Sequence, residues 1–330
     1  MAVLTTNYKG EMEDSLTSQK QVAVSVVVPV VERCGDLLEI YRAHAEVLRH
    51  KGFSFEFIFV VDAGFERNGQ EVAPLVTSGE PVRIVQLARP FGEATALEIG
   101  FAQACGEKIV CLASYFQTIP DGLEQVLDML DQGYDLVITR RQPRIDCWVN
   151  RLQNFGFHFL VGWFTGVRFH DLGCGLKGMH KRVSGELLLY GDLHRFIPLL
   201  AYQKGFRIIE IDVPQHTADQ SVRVYGPGVY LRRLLDILTI VFLFKFTKKP
   251  LRFFGLIGSA LFGAGFIISL VLAIEKMLGS VALADRPLLI LGVLLMVLGV
   301  QMGSIGLLGE IIIFTHARKM KDYTIAKFLK

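Results

Sequence analysis

Two uncharged apolar runs near the C-terminus, Phe253 to Ile274 and Pro287 to Gly309, constrain this chain more than any other feature. At about 1.5 Å of rise per residue, each can cross a hydrocarbon layer roughly 30 Å thick as a helix. Two such runs in tandem are rare in a soluble core, so residues 253–314 are expected to form a two-helix transmembrane hairpin. Lys245, Lys248, Lys249 and Arg252 precede the first run, and Arg318, Lys319 and Lys321 follow the second. The connecting loop balances Glu275 and Asp285 against Lys276 and Arg286. The excess of basic residues on the outer flanks puts both termini on the cytoplasmic side of an inner membrane.

The rest of the composition argues for a soluble domain attached to that anchor. Of 330 residues 51% are hydrophobic, yet 20% are charged, too apolar for a soluble protein and too charged for one lying wholly in the membrane. The apolar excess gathers after Leu231, leaving residues 22–226 as a domain of roughly 200 residues that can bury its own core. Residues 1–21 are polar and mixed in charge, with no apolar stretch, and read as a disordered lead rather than a secretory signal. Residues 227–252 form a juxtamembrane segment. Within it, Tyr230 to Phe246 sets Arg232, Arg233 and Asp236 against an apolar surface, which suits either a helix in the headgroup layer or an ordinary amphipathic docking helix. Residues 315–330 make a basic cytoplasmic tail. The five cysteines contain no Cys-x-x-Cys pair, so neither a zinc site nor a disulfide framework is expected, and a reducing setting fits. A net charge of +3 decides little, and no nucleic-acid partner is expected.

Val22 to Val31 is a β-branched run that reads as a strand buried on both faces, and Asp36 to Lys51 has helical spacing. Phe55 to Val61, Arg83 to Leu87, Lys108 to Leu112 and Asp135 to Thr139 read as further strands. Phe91 to Ala104 and Asp121 to Gln132 read as helices. This alternation predicts a mostly parallel α/β sheet whose ligands gather at the carboxyl ends of the strands.

Six ordered blocks now form a recognisable series: Ser25-Val26-Val27-Val28-Pro29-Val30, Phe57 to Asp62, Arg89-Pro90-Phe91-Gly92, Asp171 to Lys177, His194 to Pro198, and Val224-Tyr225-Gly226. With the apolar pair and Pro250 to Gly255, they resemble family 2 glycosyltransferases of the dolichol-phosphate mannose synthase and undecaprenyl-phosphate glycosyltransferase type. The resemblance runs from Val22 to the C-terminus. It implies a GT-A, Rossmann-like domain that moves a sugar from a nucleotide sugar onto a polyprenyl phosphate at the cytoplasmic membrane face.

The chain departs from that pattern at its centre. The family carries Asp-x-Asp, whose carboxylates hold Mg²⁺ or Mn²⁺ against the diphosphate. Here Leu112-Ala113-Ser114-Tyr115-Phe116-Gln117 puts Ala113 and Tyr115 in those places, and only Gln117 survives. Neither replacement suits a hard cation, so no metal-binding residue is expected although the family implies one. The family's Pro-x-Tyr-Asn-Glu turn becomes Pro29-Val30-Val31-Glu32-Arg33, with Glu32 one place early. Asp62 is followed by Ala63 and Gly64 where the family has a further acid and a serine. It reads either as a ligand for the ribose or base, or as a turn or cap aspartate.

On this reading Pro29, Glu32, Asp62, Arg89, Gly92 and Gln117 are candidates for nucleotide-sugar binding. Asp171 and Arg195 are candidates for catalysis, although Asp171 before a Gly-rich turn equally suits a turn cap. Arg140, Arg141, Arg144, Lys177, Arg223 and Tyr225 are candidates for phosphate and lipid-acceptor contacts, because arginine suits bidentate phosphate binding. The Arg140 group equally suits a solvated basic face or a contact with anionic lipid. Side-chain cations offer a substitute for the metal's charge. His170 and His194 lack the paired spacing of a metal site.

Two readings of function remain: a polyprenyl-phosphate glycosyltransferase without the usual metal site, or a catalytically silent relative that binds lipid, nucleotide or a partner enzyme in envelope polysaccharide assembly. A processive polysaccharide synthase is disfavoured by two spans and by the lack of Gln-x-x-Arg-Trp. The spacing of Gly255, Ser259 and Gly263 allows close helix packing and a homo-oligomer.

Overall fold

The computed structural model describes residues 22–143, 162, 166–167, 169–187, 189, 191, 193–219, 250–278 and 287–316. The chain divides into two compact units, Met1–Asp236 and Ile237–Lys330. In the first, seven strands form one sheet in the order β3-β2-β1-β4-β6-β5-β7. They are β1 (Val24–Val30), β2 (Phe55–Val61), β3 (Val82–Gln86), β4 (Lys108–Cys111), β5 (Leu136–Arg141), β6 (Lys177–His180) and β7 (Ile208–Val213). β6 runs antiparallel to β4 and β5, and the other pairings are parallel. The expected mostly parallel α/β architecture is therefore present.

β1 anchors this sheet because its apolar, largely β-branched residues suit a position covered on both faces. All seven of its residues are buried. Alternation sends Val24, Val26, Val28 and Val30 into one layer and Val27 into the other, as the two-residue strand period requires. The first layer packs against α1 (Leu37–His50) and α4 (Gly122–Asp131), through Leu37, Ile40, Tyr41, Leu48, Leu123, Val126 and Leu127. The second packs against α3 (Glu93–Gln103) through Ala94, Leu97 and Phe101. Asp36 starts α1 by accepting the Glu39 backbone N–H at 3.0 Å, a side-chain cap that satisfies one orphan donor of the first turn.

Three elements carry little sequence signal. α2 (Glu66–Thr77) buries only Gly69 and Val72 and contains Pro74, so its apolar stripe is too thin to read. β6 begins with a charged Lys177 and continues with Gly178. That glycine is fixed by packing, because a Cβ there would run into the Val126 side chain of α4. β7 is a half-buried edge strand. The short α5 (Lys181–Ser184) and α6 (Ile197–Gln203) follow β6 and a 3₁₀ turn at Leu193–Phe196. The predicted lead (1–21), the Tyr230–Phe246 helix and most of the basic tail lie outside the described residues.

The second unit contains α7 (Pro250–Met277) and α8 (Pro287–His316), both long and apolar enough to cross a membrane. Each starts at a proline, which needs no intrahelical donor there. Leu251 N–H donates to Glu310 Oε at 3.4 Å, so the one acidic side chain of α8 serves the first turn of α7. Close approach between α7 and α8 of one chain falls on Gly258 and Gly299, and the Gly255, Ser259 and Gly263 positions expected to serve packing between copies take no such part within the hairpin. A Cβ on Gly258 would lie 2.6 Å from the Gly299 carbonyl oxygen, and one on Gly299 would lie 2.6 Å from that of Gly258. Gly263 meets nothing within 4 Å, and Ser259 is exposed.

Backbone contact of this kind leaves no room for a side chain. Gly299→Val is expected to weaken the hairpin by about 1–3 kcal/mol, the usual cost of overpacking, whereas Gly263→Ala leaves it unchanged. Unfolding of the detergent-solubilised protein compares the two.

Candidate active site

The order β3-β2-β1-β4 places a topological switch point between β1 and β4. In an open α/β sheet the crevice beyond the carboxyl ends at such a point is where ligands bind. Here it is framed by residues 31–35 after β1 and 112–117 after β4. The two loops are strapped together: Gly35 N–H donates to Ser114 O at 2.7 Å, and Ser114 Oγ donates to Arg33 O at 2.5 Å. The Arg33 guanidinium lies over the Tyr115 ring, 4.1 Å from its centroid. Gln117 Nε2 donates to the Tyr115 hydroxyl at 2.5 Å, and Gln117 Oε1 accepts the Gly175 N–H at 2.7 Å. Phe116 stacks between His216, at 4.7 Å, and His44, at 6.0 Å.

A network of four charges joins this crevice to the end of β5. Arg141 donates from Nε and Nη2 to the two oxygens of Asp171, at 2.8 and 3.1 Å, and from Nη1 to Asp219 Oδ2 at 3.2 Å. The second oxygen of Asp219 accepts Arg33 Nη1 at 3.3 Å. Only 7% of the Arg141 side chain is exposed, and both aspartates are buried. Burial favours a neutral guanidinium, but the adjoining Asp171 carboxylate, followed by Asp219, pushes the Arg141 pKa well above its ordinary value. Glu210 fixes the Asp171 turn by accepting the Asp171 backbone N–H at 3.0 Å.

The structure places the residues singled out by sequence in distinct roles. Pro29 is buried near the end of β1, and Glu32 is exposed just beyond it. Asp62 is buried, and its carboxylate accepts the backbone N–H groups of Ala63, Phe91 and Gly92 at 2.9–3.1 Å. It thereby holds the Arg89–Gly92 loop, in which Arg89 is exposed and Gly92 adopts φ 86° before α3. Arg140 pairs with Asp212 through two hydrogen bonds of 2.6 and 2.8 Å. Arg141 turns inward, with all three guanidinium nitrogens engaged by carboxylates. Lys177 is buried and Arg195 half-buried, and the side chain of neither has a hydrogen-bond or ion-pair partner among the described residues. Both lie close enough to Glu93 to lower its pKa. Arg144, Arg223 and Tyr225 lie outside the described residues. Of the two histidines, His170 meets Glu210 and His194 meets Glu93.

Sequence reasoning missed Arg33 and Asp219. Arg33 had a legible signal, since it stands where the resembled family has the glutamate of its Pro-x-Tyr-Asn-Glu turn. Asp219 had none: its partners Arg33 and Arg141 are 186 and 78 residues away.

A hard divalent ion takes several oxygen ligands, mostly carboxylates, and the two positions at which the family carries acids hold Ala113 and Tyr115. Among the described residues, no group of three or more His, Cys, Asp or Glu is placed to hold a metal. The buried acids Asp171 and Asp219 are engaged by arginines, and the Arg33 guanidinium lies on Tyr115 itself. Ala113 faces the Gly173–Leu176 turn: a Cβ on Gly175 would lie 2.9 Å from the Ala113 Cβ.

This mixed sheet, with β6 antiparallel between β4 and β5, has the GT-A fold. Residues 25–187 match the model for glycosyl transferase family 2. Dodecaprenyl-phosphate galacturonate synthase from Rhizobium johnstonii is 30% identical over 91% of this chain and 90% of its own. Undecaprenyl-phosphate 4-deoxy-4-formamido-L-arabinose transferase from Proteus mirabilis is 28% identical over 94% of this chain and 95% of its own. The chain belongs to glycosyl transferase family 2, and it is a membrane protein. Glucosyl-3-phosphoglycerate synthase from Mycobacterium tuberculosis, solved with Mn²⁺, UDP-glucose and phosphoglyceric acid, shares the fold. Its TM-score is 0.50 and its identity 15%, over 71% of this chain and 82% of that one.

Removing one member of the buried pair strands the other's charge. Asp171→Ala is expected to lower unfolding stability by about 3–5 kcal/mol, whereas Arg140→Ala, which breaks a partly exposed pair, costs less than about 1 kcal/mol. Denaturant titration in detergent separates the two.

Glu93 gives a pH signature. Burial works against its ionisation, but the His194 hydrogen bond and the charges of His194, Lys177 and Arg195 hold its pKa down at about 2, below the ordinary 4.5. A depressed carboxyl pKa stabilises the fold above the unfolded value and loses that contribution as pH falls through the folded one. The melting-temperature gap between wild type and Glu93→Gln should therefore be full at neutral pH and close between pH 4.5 and about 2.

Proposed function

We propose that this protein transfers a sugar from a nucleotide sugar to a polyprenyl phosphate, of the undecaprenyl type, at the cytoplasmic face of an inner membrane, without a divalent metal. The observation that carries this reading is the alignment with polyprenyl-phosphate sugar transferases over about nine-tenths of each chain, the apolar helices included. The metal-free part rests on the replacement of both acids by Ala113 and Tyr115 and on the engagement of Asp171 and Asp219 by arginines.

The chemistry asks little of a general base. A phosphate monoester has a second pKa of about 6 and is largely ionised near neutrality. One of its oxygens attacks the anomeric carbon, the bond from that carbon to the diphosphate oxygen breaks, and the nucleoside diphosphate leaves with the electron pair. The main requirement is positive charge at the leaving diphosphate. In this reading Pro29, Glu32, Arg89, Gly92 and Gln117 shape the nucleotide side, and Asp62 positions the Arg89–Gly92 loop. Lys177 and Arg195 supply cations near the reacting groups, and Asp171 orients Arg141. Arg140, Arg144, Arg223 and Tyr225 serve the acceptor phosphate and lipid.

The catalytically silent reading is favoured by one observation, the closure of Asp171 and Arg141 on each other. A transfer assay decides between the two. Purified protein in liposomes containing undecaprenyl phosphate is given UDP-, GDP-, CDP- and ADP-sugars in EDTA or in Mg²⁺. Product formed at comparable rates in both conditions, and lost in Arg195→Ala, is expected. No product from any donor under either condition would establish the silent relative, and strict Mg²⁺ dependence would refute metal-free transfer.

A further inference from the structure

Family chemistry calls for a cation at the donor diphosphate, and among the described residues no group of three or more His, Cys, Asp or Glu is placed to hold a metal. Of residues 31–35 and 112–117, which frame the crevice, only Arg33 is a cation. We propose that Arg33, stacked on Tyr115 and tied to Asp219, is the built-in cation that receives the diphosphate of the nucleotide sugar in place of a divalent metal. The proposal rests on the transferase reading above and names the residue that makes metal-free transfer workable.

Three features of the geometry support it. First, Arg33 is held in place before any ligand arrives. Its guanidinium lies 4.1 Å from the Tyr115 ring centroid and 3.3 Å from Asp219 Oδ1, and its carbonyl oxygen accepts Ser114 Oγ at 2.5 Å. A preorganised donor costs no reorganisation when charge develops on a leaving group. Second, Arg33 remains accessible, with 37% of its side chain exposed, against 7% for Arg141. Third, the buried aspartates of the network are shared with Arg141. Asp219 gives one oxygen to Arg33 and the other to Arg141, and Asp171 is committed to Arg141. A diphosphate reaching the crevice would meet a partly exposed guanidinium whose planar donors match phosphate oxygens and which can exchange carboxylate contacts for phosphate ones.

The two departures from the family pattern are complementary on this view. A phenol at position 115 cannot ligate a hard cation, yet its π face holds a guanidinium well. An arginine at position 33, where the resembled turn carries an acid, brings the positive charge that two lost carboxylates no longer recruit. The same guanidinium repels a divalent ion approaching residue 115.

The test uses the full chain in nanodiscs with EDTA and calorimetric titration of UDP, GDP, CDP and ADP, each beside its matched nucleoside. Wild type is expected to bind one diphosphate at least about tenfold more tightly than its nucleoside, the scale of a charge-assisted phosphate contact. Arg33→Gln should abolish most of that preference while leaving nucleoside affinity in place, a readout that general loss of structure would not produce. Arg33→Lys should restore part of it, and added Mg²⁺ should not rescue Arg33→Gln. Tyr115→Leu, which keeps the Arg33–Asp219 pair but removes the stack, should give an intermediate loss and serves if Arg33→Gln does not fold. An unchanged diphosphate preference in Arg33→Gln, or in Tyr115→Leu where that variant must serve, overturns the proposal and leaves the transferase reading standing, as does rescue by Mg²⁺. Failure of wild type to bind any of the four diphosphates would bring down the transferase reading and this proposal together.

Discussion

The buried ion pair between Arg141 and Asp171 holds the candidate site in one piece. It joins the end of β5 to the turn before β6, and through Asp219 it reaches the loop after β1. Desolvating a guanidinium is expensive, and such a pair is conformationally specific rather than simply stabilising, because neither charge tolerates the loss of its partner. The loops after β1 and β4 that frame the crevice are tied to this pair through Asp219 and to the Gly173–Leu176 turn through the Gln117–Gly175 contact. Arg33 and Arg141 thus carry their charge in the same bonds that set the loop geometry.

The contrast with a metal site lies in how charge is delivered. A divalent ion brings two charges with mobile ligands, whereas a guanidinium brings one charge in a rigid plane. A site relying on arginine needs more than one cation around the diphosphate and the acceptor. In the proposed transfer Arg33 serves the donor side, while Lys177 and Arg195, which both help hold the Glu93 carboxylate ionised, are the further cations offered to the phosphates.

Much of the fold was legible in the sequence because its strongest signals are local. The β-branched run of β1, the Asp36 cap of α1 and the apolar helices α7 and α8 are each written in consecutive residues. β6 was hidden because its identity comes from packing: Gly178 is there to admit Val126. The site was legible in part. The loss of Asp-x-Asp could be read directly, and so could a supply of cations. Which cation lies at the crevice could not, since Arg33 meets Asp219 across 186 residues of sequence. Arg141 was read as a phosphate contact, but it faces two aspartates that no local pattern links to it. The contact between α7 and α8 runs through Gly258 and Gly265, which the sequence alone does not single out. Helical spacing fixes a periodicity but not which face meets a neighbour.

The most direct measurement is a structure of the full protein in lipid with a bound nucleoside diphosphate and excess Mn²⁺, using anomalous scattering to locate manganese. The account predicts phosphate oxygens within hydrogen-bond distance of the Arg33 guanidinium and no manganese at residues 113–115. A manganese ion bridging that segment and the diphosphate, with Arg33 turned away, would contradict it.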